Sequence, residues 1–390
     1  MFKSIRLKRN SAFWEGLDQR WGKLIEAGII LTIALMPVLN TWEGLLGLTF
    51  LLYLIRFPER KLPDTGLFIF WLSLAVSAFV VLGFNGLNRL APITVWLLTA
   101  GLVGRTFSPG FSCKVLRYIL ISSLFWMLIG FWQQWSAVPT PSGWLERGED
   151  LLISVRSYSV FGNPNIYGLY LLSILIFALL GTTLTNLHYP IVSWLLFVLT
   201  VISLFFTYSR TAWFLAFAAV GGWFGRRFFS RRFFYVLIVI GFLFFLTGFK
   251  TRIISSVNFE NTFWFRVRIW QSMLKLLAEY WKWGSGPGSF VEVFPNNQIV
   301  NGLVLHGHQL YMQLWLESGI LSLIAFIRVI VKNLAGFFGL KSSAKAVALV
   351  ILLFLIDGFL ETWWANQYCG GYFWLLIGLL QTMRAGQIAS

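Results

Sequence analysis

The chain has 390 residues, of which 57% are hydrophobic and only 12% are charged, and its mean hydropathy is +0.73. This composition excludes a soluble globular domain and is typical of a protein with many membrane-spanning helices. The net charge of +16 would favour nucleic-acid binding in a soluble protein. In a membrane protein the positions of the basic residues matter more, because they set the topology. We therefore expect membrane lipids as partners and no nucleic acid.

A membrane-spanning helix needs about 20 mostly apolar residues. By this criterion the sequence predicts an all-α polytopic membrane protein with about twelve transmembrane helices. Their predicted centres lie near residues 32, 49, 75, 97, 125, 173, 199, 218, 241, 324, 353 and 377.

The basic residues predict that both termini are cytoplasmic, because two thirds of the 31 Lys and Arg residues then face the cytoplasm. We expect a multi-pass protein of the cytoplasmic (inner) membrane. Cys113 and Cys369 fall on opposite sides of the membrane, so no disulfide is expected. The predicted organisation is a cytoplasmic tail at 1–23, helices one to nine at 24–249 with an outer loop at 137–164, a large extracytoplasmic loop at 250–310, and helices ten to twelve with a short cytoplasmic tail at 311–390.

Ten basic residues remain on the predicted outer side, against the topological preference, and most lie in the loops 137–164 and 250–310. An outward basic cluster indicates an anionic ligand near the membrane interface. The alternative is that long loops cross the membrane whatever their charge.

Arg210 is the most informative of these residues. Thr207-Tyr-Ser-Arg210 lies in a very short connection between two predicted spans, which places Arg210 at membrane depth or at its edge. An arginine at the bilayer centre costs about 2.5–3.5 kcal/mol on insertion scales. Arg210 therefore either serves a ligand, extends its side chain to the interface, or pairs with Asp357 or Glu361.

Residues 263–283 have helical periodicity, with an apolar stripe and basic residues every seven positions on the opposite face. This pattern predicts a helix in the membrane interface, anchored by Trp264, Trp270, Trp281 and Trp283. Arg266 lies outside the basic face, so we expect a buried or lipid-phosphate contact for it. The apolar stripe comprises Phe263, Val267, Trp270, Leu274, Leu277 and Trp281, and the basic face Arg268, Lys275 and Lys282.

Two motifs follow this predicted helix. Gly284-Ser-Gly-Pro-Gly288 permits either a tight turn or close approach of the backbone to a ligand. His306-Gly-His308 has no third metal ligand beside it in the sequence, so we expect no metal and favour one imidazole as a general base. A hydrogen-bonded surface histidine is the alternative.

Four patterns together resemble the O-antigen ligase and polysaccharide polymerase superfamily of bacterial membrane proteins. They are spread over roughly residues 156–320, and their order and spacing carry the resemblance. In chain order they are Arg156 with Phe161-Gly-Asn-Pro-Asn165, Thr207-Tyr-Ser-Arg210, Arg266-Val-Arg-Ile-Trp270 with the glycine motif, and His308-Gln-Leu-Tyr311 with Glu317-Ser-Gly319.

The resemblance implies a twelve-span, GT-C-like glycosyltransferase that moves a glycan from an undecaprenyl diphosphate carrier to lipid A core, another repeat unit or a protein. It implies that Arg210 and Arg266 bind the diphosphate and that His308 activates the acceptor hydroxyl. Gln309 stands where the superfamily usually has Asn, so acceptor geometry can differ here. The implied substrate-binding residues are Arg156, Asn163, Asn165, Trp270, Gly286, Gly288, Tyr311 and Glu317.

The chemistry of the residues agrees with this expectation. Guanidinium groups hold a diphosphate through paired, charged hydrogen bonds worth about 1.5–3 kcal/mol each. The predicted outer loops lack an Asp-x-Asp motif, so arginine would replace a divalent cation and no cofactor is expected.

Three alternatives remain open at this point. A repeat-unit polymerase of the same superfamily shares all four patterns. An inorganic-carbon or other small-solute transporter is a second possibility, since Gly162-Asn-Pro-Asn165 is similar to a segment of such proteins. Transporters, however, often contain inverted repeats, and none is evident in the sequence. A non-catalytic scaffold of an envelope assembly complex is the third.

Overall fold

The computed structural model describes residues 22–32, 44, 47–49, 64–141, 155–179, 190–224, 262–297 and 304–388. Over these ranges the chain forms helices joined by turns and irregular segments, and they contain no strand. The chain divides into two compact units, Met1–Leu62 and Pro63–Ser390. In the first unit the described residues are helical, and the backbone of Gly28 lies against the Thr49 side chain.

The described part of the second unit contains eleven α-helices and three short 3₁₀ turns, Phe294–Asn297, Phe337–Gly339 and Trp363–Ala365. In chain order the helices are α1 (Thr65–Leu82), α2 (Asn85–Thr106), α3 (Pro109–Trp135), α4 (Pro164–Leu179), α5 (Pro190–Phe206), α6 (Arg210–Phe224), α7 (Thr262–Tyr280), α8 (Phe290–Val293), α9 (Leu310–Leu334), α10 (Ser342–Asp357) and α11 (Gln367–Ile388).

Polar side chains mark where several of these helices begin. Asp64 accepts a hydrogen bond from the backbone N–H of Gly66 at the start of α1. Ser108 caps α3 in the same way, and Pro109 occupies the first helical position, where its missing N–H costs nothing. Gln309 caps α9 by accepting from the Met312 N–H. These caps fix the entry points of three long apolar helices.

Four described helical segments are long and apolar enough to cross a membrane: Thr65–Leu82, Asn85–Gly104, Pro109–Trp135 and Leu310–Gly339. Pro164–Leu179 and Ile191–Phe206 are apolar but shorter. The prediction of an all-helical membrane protein is therefore confirmed, whereas the count of about twelve spans stays a prediction.

Most of the predicted span centres fall inside described helices. Those near 75, 97, 125, 173, 199, 218, 324, 353 and 377 lie within α1 to α6 and α9 to α11. The centres near 32 and 49 lie at the ends of short described helical stretches, and the one near 241 lies outside the described residues.

Small residues allow α11 and α2 to pack with their backbones close together, as in many membrane helix pairs. A Cβ atom on Gly378 would lie 2.8 Å from the Ala100 carbonyl oxygen. One on Gly370 would overlap the ring of Trp96. The two helices are joined further by Thr382 Oγ1, which donates to the Val103 carbonyl at 2.6 Å. The core of the second unit therefore includes this close pair.

The face of α7 that meets the protein differs from the predicted stripe. Ile269, Met273 and Leu276 are buried in a cluster with Phe290 and Leu316. The predicted stripe residues Leu274 and Trp281 are instead exposed, 59% and 51% respectively. Of the predicted anchors, Trp270 is half-buried and donates a hydrogen bond from Nε1 to the Gly307 carbonyl at 3.2 Å. The predicted stripe therefore has both buried and exposed members, because lipid and protein interior both accept apolar side chains. The position of the helix in the membrane interface stays a prediction.

Candidate active site

The centre of the candidate site is a carboxylate that lies against two imidazoles. Glu361 Oε1 lies 3.3 Å from His306 Nδ1 and 3.6 Å from His308 Nδ1. The two imidazole rings have centroids 4.1 Å apart. The side chain of Glu361 is 4% exposed, that of His306 is 9% exposed and that of His308 is 18% exposed. His308 is thus the member of the cluster that a substrate can reach most easily.

Backbone hydrogen bonds hold the histidines against this carboxylate. Helix α10 ends at Asp357, whose carbonyl accepts from the backbone N–H of Glu361 at 2.9 Å. The Leu310 N–H donates to the carbonyl of Gly358 at 2.7 Å, and the Gln309 N–H donates to Thr362 Oγ1 at 3.0 Å. The first residues of α9 are therefore tied to the turn after α10, and His308 precedes them directly.

Arg156 and Asn165 connect the cluster to a second part of the chain. Asn165 Nδ2 donates to Glu361 Oε2 at 2.9 Å, and Arg156 Nη2 donates to Asn165 Oδ1 at 2.9 Å. Arg156 is 4% exposed and also donates from Nε to the Thr207 carbonyl at 3.0 Å. These contacts form a continuous line from Thr207 through Arg156 and Asn165 to Glu361. A buried guanidinium needs such partners, because an unpaired charge away from water is costly.

Helix α7 brings Arg266 to the same cluster. The Arg266 charge acts on both His306 and Glu361, lowering the pKa of each group. Two turns of α7 later, Met273 packs so tightly against Gly307 that a Cβ on that glycine would overlap its sulfur atom. Arg266 is half-buried, whereas Arg268, Lys275 and Lys282 are exposed. The expected contrast between Arg266 and the basic face is confirmed.

Burial and neighbouring charge set the ionisation of the cluster. Burial, followed by the neighbouring His308, lowers the pKa of His306 to about 3, so this imidazole is neutral at pH 7. Burial alone would raise the pKa of Glu361, but His306, His308 and Arg266 outweigh it and hold that pKa below its ordinary value. The site therefore contains an ionised carboxylate beside a neutral His306.

Backbone strain is concentrated around this cluster. Among the described residues, Ala137, Ser159, Tyr208 and His308 are the non-glycine residues with positive φ. His308 has φ 49° and Tyr208 has φ 51°. Such conformations cost about 1–3 kcal/mol each and persist where the surroundings enforce them, often at functional sites.

Arg210 begins α6 and is half-buried. The segment before it reaches the network, since Arg156 donates to the carbonyls of Thr207 at 3.0 Å and Tyr208 at 3.5 Å. The structure thus brings the chain around Arg210 to the network that contains Glu361.

Several predicted binding residues have structural partners. Asn163 Oδ1 accepts from the Asn165 and Ile166 N–H groups at the start of α4, which is a helix-capping arrangement. Tyr311 donates from its hydroxyl to the Leu355 carbonyl at 2.7 Å and so joins α9 to α10. Trp270 contacts Gly307, as described above. These three side chains hold the site together.

The glycine motif forms a turn against the kink in α9. Gly284, Gly286 and Gly288 all have positive φ, as does Gly319 within α9. A Cβ on Gly284 would overlap the Glu317 carbonyl, and one on Gly286 would overlap Leu82. The predicted close approach is therefore to protein at these two positions. Gly288 is exposed, and its N–H donates to Glu317 Oε2 at 3.0 Å.

Glu361 is a site residue that the sequence predicts only as a possible partner for Arg210. The sequence signal that points to Glu361 is its place at the end of an apolar span. Acidic residues are scarce in this chain, with only 15 in all, and those close to the membrane are often functional. The ligand atoms of His306, His308 and Glu361 lie within 4.8 Å of one another and could hold a metal ion. The third potential ligand, which the sequence does not place near the histidines, thus comes from the turn after α10.

The fold and the site define a multi-pass helical membrane protein with a buried polar site. The model of the O-antigen ligase family matches residues 195–327, a range that contains Arg210, Arg266 and His308. The resemblance to the O-antigen ligase-like superfamily is thereby confirmed. None of the curated proteins matches the chain. The family is one of ligase- or polymerase-type membrane enzymes that use lipid-linked glycan donors and glycan acceptors.

Proposed function

We propose that this protein transfers a glycan from an undecaprenyl diphosphate carrier to an acceptor hydroxyl at the outer face of the cytoplasmic membrane. The observation that carries the proposal is the Glu361–His308 pair, 3.6 Å apart, with Arg266 acting on the same cluster. A base beside positive charge is the arrangement that glycosyl transfer from a diphosphate requires.

His308 is the general base in this proposal. With Nδ1 facing Glu361, the other ring nitrogen takes the proton of the acceptor hydroxyl. The acceptor oxygen then bonds to the anomeric carbon of the donor glycan. The bond from that carbon to the diphosphate oxygen breaks, and the leaving diphosphate keeps the electron pair. Glu361 stabilises the imidazolium as it forms, because a buried anion next to it lowers the energy of the charged state.

Arg266 and Arg210 hold the leaving diphosphate in this mechanism. Charge develops on the bridging oxygen as the bond breaks, and guanidinium groups fixed nearby lower the energy of that transition state. Because both groups are permanently charged, the step needs no metal ion. We therefore propose that the histidines and Glu361 work without a metal, although their atoms could hold one.

The test is transfer by the purified protein in nanodiscs from an undecaprenyl diphosphate glycan to an acceptor. Arg266→Ala and His308→Ala should each lower kcat by at least about 100-fold, the scale of a lost electrostatic or general-base group. Arg268→Ala is the matched control, because Arg268 lies on the same helix but is exposed. A wild-type rate in either site variant would contradict the proposal, as would a rate abolished by a chelator and restored by a divalent cation.

The acceptor decides between ligase and polymerase. A polymerase would give products of many repeat units, and a strain lacking it would retain single-unit product without a banded ladder. The family match weighs against a transporter, because it covers the same Arg266 and His308 that the mechanism uses.

A further inference from the structure

A cavity of about 320 Å³ lies beside the segment His306–His308, here called the histidine turn. Its floor is buried and includes Trp96, Gln313, Glu317 and Trp364. Its rim is exposed at Leu305, which is 49% accessible, so the cavity is open to a ligand. This volume falls at the lower end of the roughly 300–1,000 Å³ that small-molecule sites occupy.

Two hydrogen-bond donors in the cavity wall have no partner among the described residues. Trp96 Nε1 is one, on a side chain that is only 4% exposed. Arg89 Nη1 is the other, while Arg89 Nη2 pairs with Glu292. Buried donors are rarely left without acceptors, because the loss of their water is then uncompensated. Both residues line the cavity. Because the two donor atoms are themselves buried, a small rotation of either side chain would let acceptor oxygens of a ligand reach them.

The same cavity holds a fixed carboxylate. Glu317 is 3% exposed and accepts from Gln313 Nε2 at 2.9 Å and from the Gly288 N–H at 3.0 Å. The backbone of Phe290 also donates to this carboxylate. Since a carboxylate has about four lone-pair directions, one remains that can accept from a ligand hydroxyl. A phosphate group would be repelled by this carboxylate. A hydrocarbon chain would leave the donors and the carboxylate unsatisfied.

Two tryptophans complete the lining. Trp96 and Trp364 meet edge to face, with ring centroids 5.9 Å apart. Large aromatic rings offer apolar surface to the C–H face of a sugar, while donors and acceptors around them bind its hydroxyl groups. The combination of two indoles, a carboxylate, an amide and an unsatisfied guanidinium nitrogen suits an uncharged pyranose.

We propose that this cavity binds one pyranose unit of a glycan substrate. The inference rests on the proposed function and extends it to a sugar subsite. Gln313 connects the cavity to the histidine turn, because its Oε1 accepts from the Gly307 N–H at 2.7 Å while its Nε2 holds Glu317. A sugar bound here would lie close to the turn that carries the histidines, because Leu305 and Gln313 line the cavity.

The first test measures binding without any transfer. Saturation-transfer difference NMR would use methyl pyranosides of glucose, galactose, mannose and N-acetylglucosamine, with the protein in nanodiscs free of sugar detergents. We expect wild-type protein to bind at least one of them. Trp96→Phe removes the indole N–H but keeps an aromatic ring, and Glu317→Gln removes the charge; each should weaken binding at least tenfold. Trp132→Phe, at a 58% exposed tryptophan outside the cavity, is the control and should bind as wild type does.

The second test assigns the sugar to the donor or the acceptor. If Trp96→Phe raises the KM for the acceptor at least tenfold and leaves the KM for the donor unchanged, the subsite belongs to the acceptor. If it raises only the KM for the donor, the subsite belongs to the donor. Wild-type affinity for every pyranoside in both variants, or no binding by the wild-type protein, overturns the inference. If the wild-type protein transfers the glycan and Arg266→Ala does not, the proposed function stands even when the subsite is rejected. If the protein binds a pyranoside but transfers no glycan, the subsite is retained and the proposed function is rejected.

Discussion

At the scale of single residues, Glu361 is the group that joins the two histidines to the rest of the site. It faces two imidazoles, accepts from Asn165 and lies within the influence of Arg266. Its carboxylate also accepts from the Thr362 N–H at 3.2 Å, which fixes the side chain within its own turn. We therefore treat Glu361 as a positioning residue that acts through His308.

Glu361→Gln should lower kcat by roughly 100-fold, because an amide does not stabilise the imidazolium that forms in the transition state. The KM for the donor should change little, since Arg266 and Arg210 remain. The acidic limb of the pH–rate profile should shift to lower pH, because the His308 imidazolium loses its proton more easily without the neighbouring anion. Steady-state kinetics between pH 5 and 9 test this.

Two further variants separate positioning from folding for Glu361. Glu361→Asp keeps the charge and should recover part of the rate, while Glu279→Gln, at an exposed position on α7, should behave as wild type. A pH profile unchanged in Glu361→Gln would contradict the assigned role.

The neutral His306 makes a prediction about acid stability. Its pKa is lowered to about 3 in the folded state, against 6.5 for the ordinary imidazole. Above pH 6.5 neither state is protonated, and below it the unfolded chain takes up a proton that the folded protein resists. The free energy of unfolding should therefore decrease as the pH is lowered from about 6.5 towards 3, and the loss should be about 2 kcal/mol at pH 5. The lowered pKa of Glu361 acts in the same direction at lower pH.

His306→Gln should flatten this acid dependence between pH 6.5 and 5 while retaining an amide for hydrogen bonding. Apparent melting midpoints in nanodiscs at pH 7.5, 6 and 5 would measure it. If acidification lowers the melting midpoint of the variant and of the wild-type protein equally, His306 does not cause the loss of stability.

At the scale of elements, the glycine turn and the kink of α9 form one interlocked unit. Ser285 N–H donates to the Leu316 carbonyl at 2.8 Å, and Ile320 N–H donates to the Trp281 carbonyl at 3.0 Å. The break at Gly319 frees backbone groups that the turn then satisfies, which a helix interruption at membrane depth requires. The unit holds Glu317 beside the cavity.

Gly284→Ala should be strongly destabilising because two effects add. Its φ of 79° costs an alanine about 1–2 kcal/mol, and the new methyl group would overlap the Glu317 carbonyl. Gly288→Ala carries only the first cost, because no atom lies within 4 Å of its Cβ position. Gly339→Ala carries neither and serves as the control. Melting midpoints should fall in the order Gly339→Ala, Gly288→Ala, Gly284→Ala, and equal midpoints would refute the interlocked unit.

The elements show what a single sequence can and cannot predict here. Helical periodicity predicted α7 and separated Arg266 from Arg268 correctly. It did not separate the buried Leu277 from the exposed Leu274 and Trp281, because lipid and protein interior are both apolar and the sequence does not distinguish them. The motif residues Arg156, Asn165 and His308 do meet in one network. Glu361 was missed as a member because it lies 53 positions after His308, a separation that only tertiary packing closes.

At the scale of the second unit, the helix connections group at two ends of the bundle. At one end, Arg384 donates to the Lys332 carbonyl, and Lys332 pairs with Asp64. Pro109 lies against Gly386 at that same end. At the other end lie the turns that carry Arg156, Thr207, His308 and Glu361, joined by the hydrogen bonds already described. Lys332 and Arg384 therefore lie at the end opposite the site, which agrees with the cytoplasmic position predicted for them.

This separation gives a test of the predicted topology by cysteine labelling. With Cys113→Ser as background, Cys369 stays in place because it is 1% exposed and inaccessible to reagent. Gln271→Cys, on the exposed face of α7, should react with a membrane-impermeant maleimide in intact spheroplasts. Lys341→Cys, exposed at the start of α10, should react only after lysis, because that end is predicted to face the cytoplasm. The reverse pattern would place the site inside the cell, where a hydroxyl on the outer face could not reach it, and both the topology and the proposed reaction would fail together.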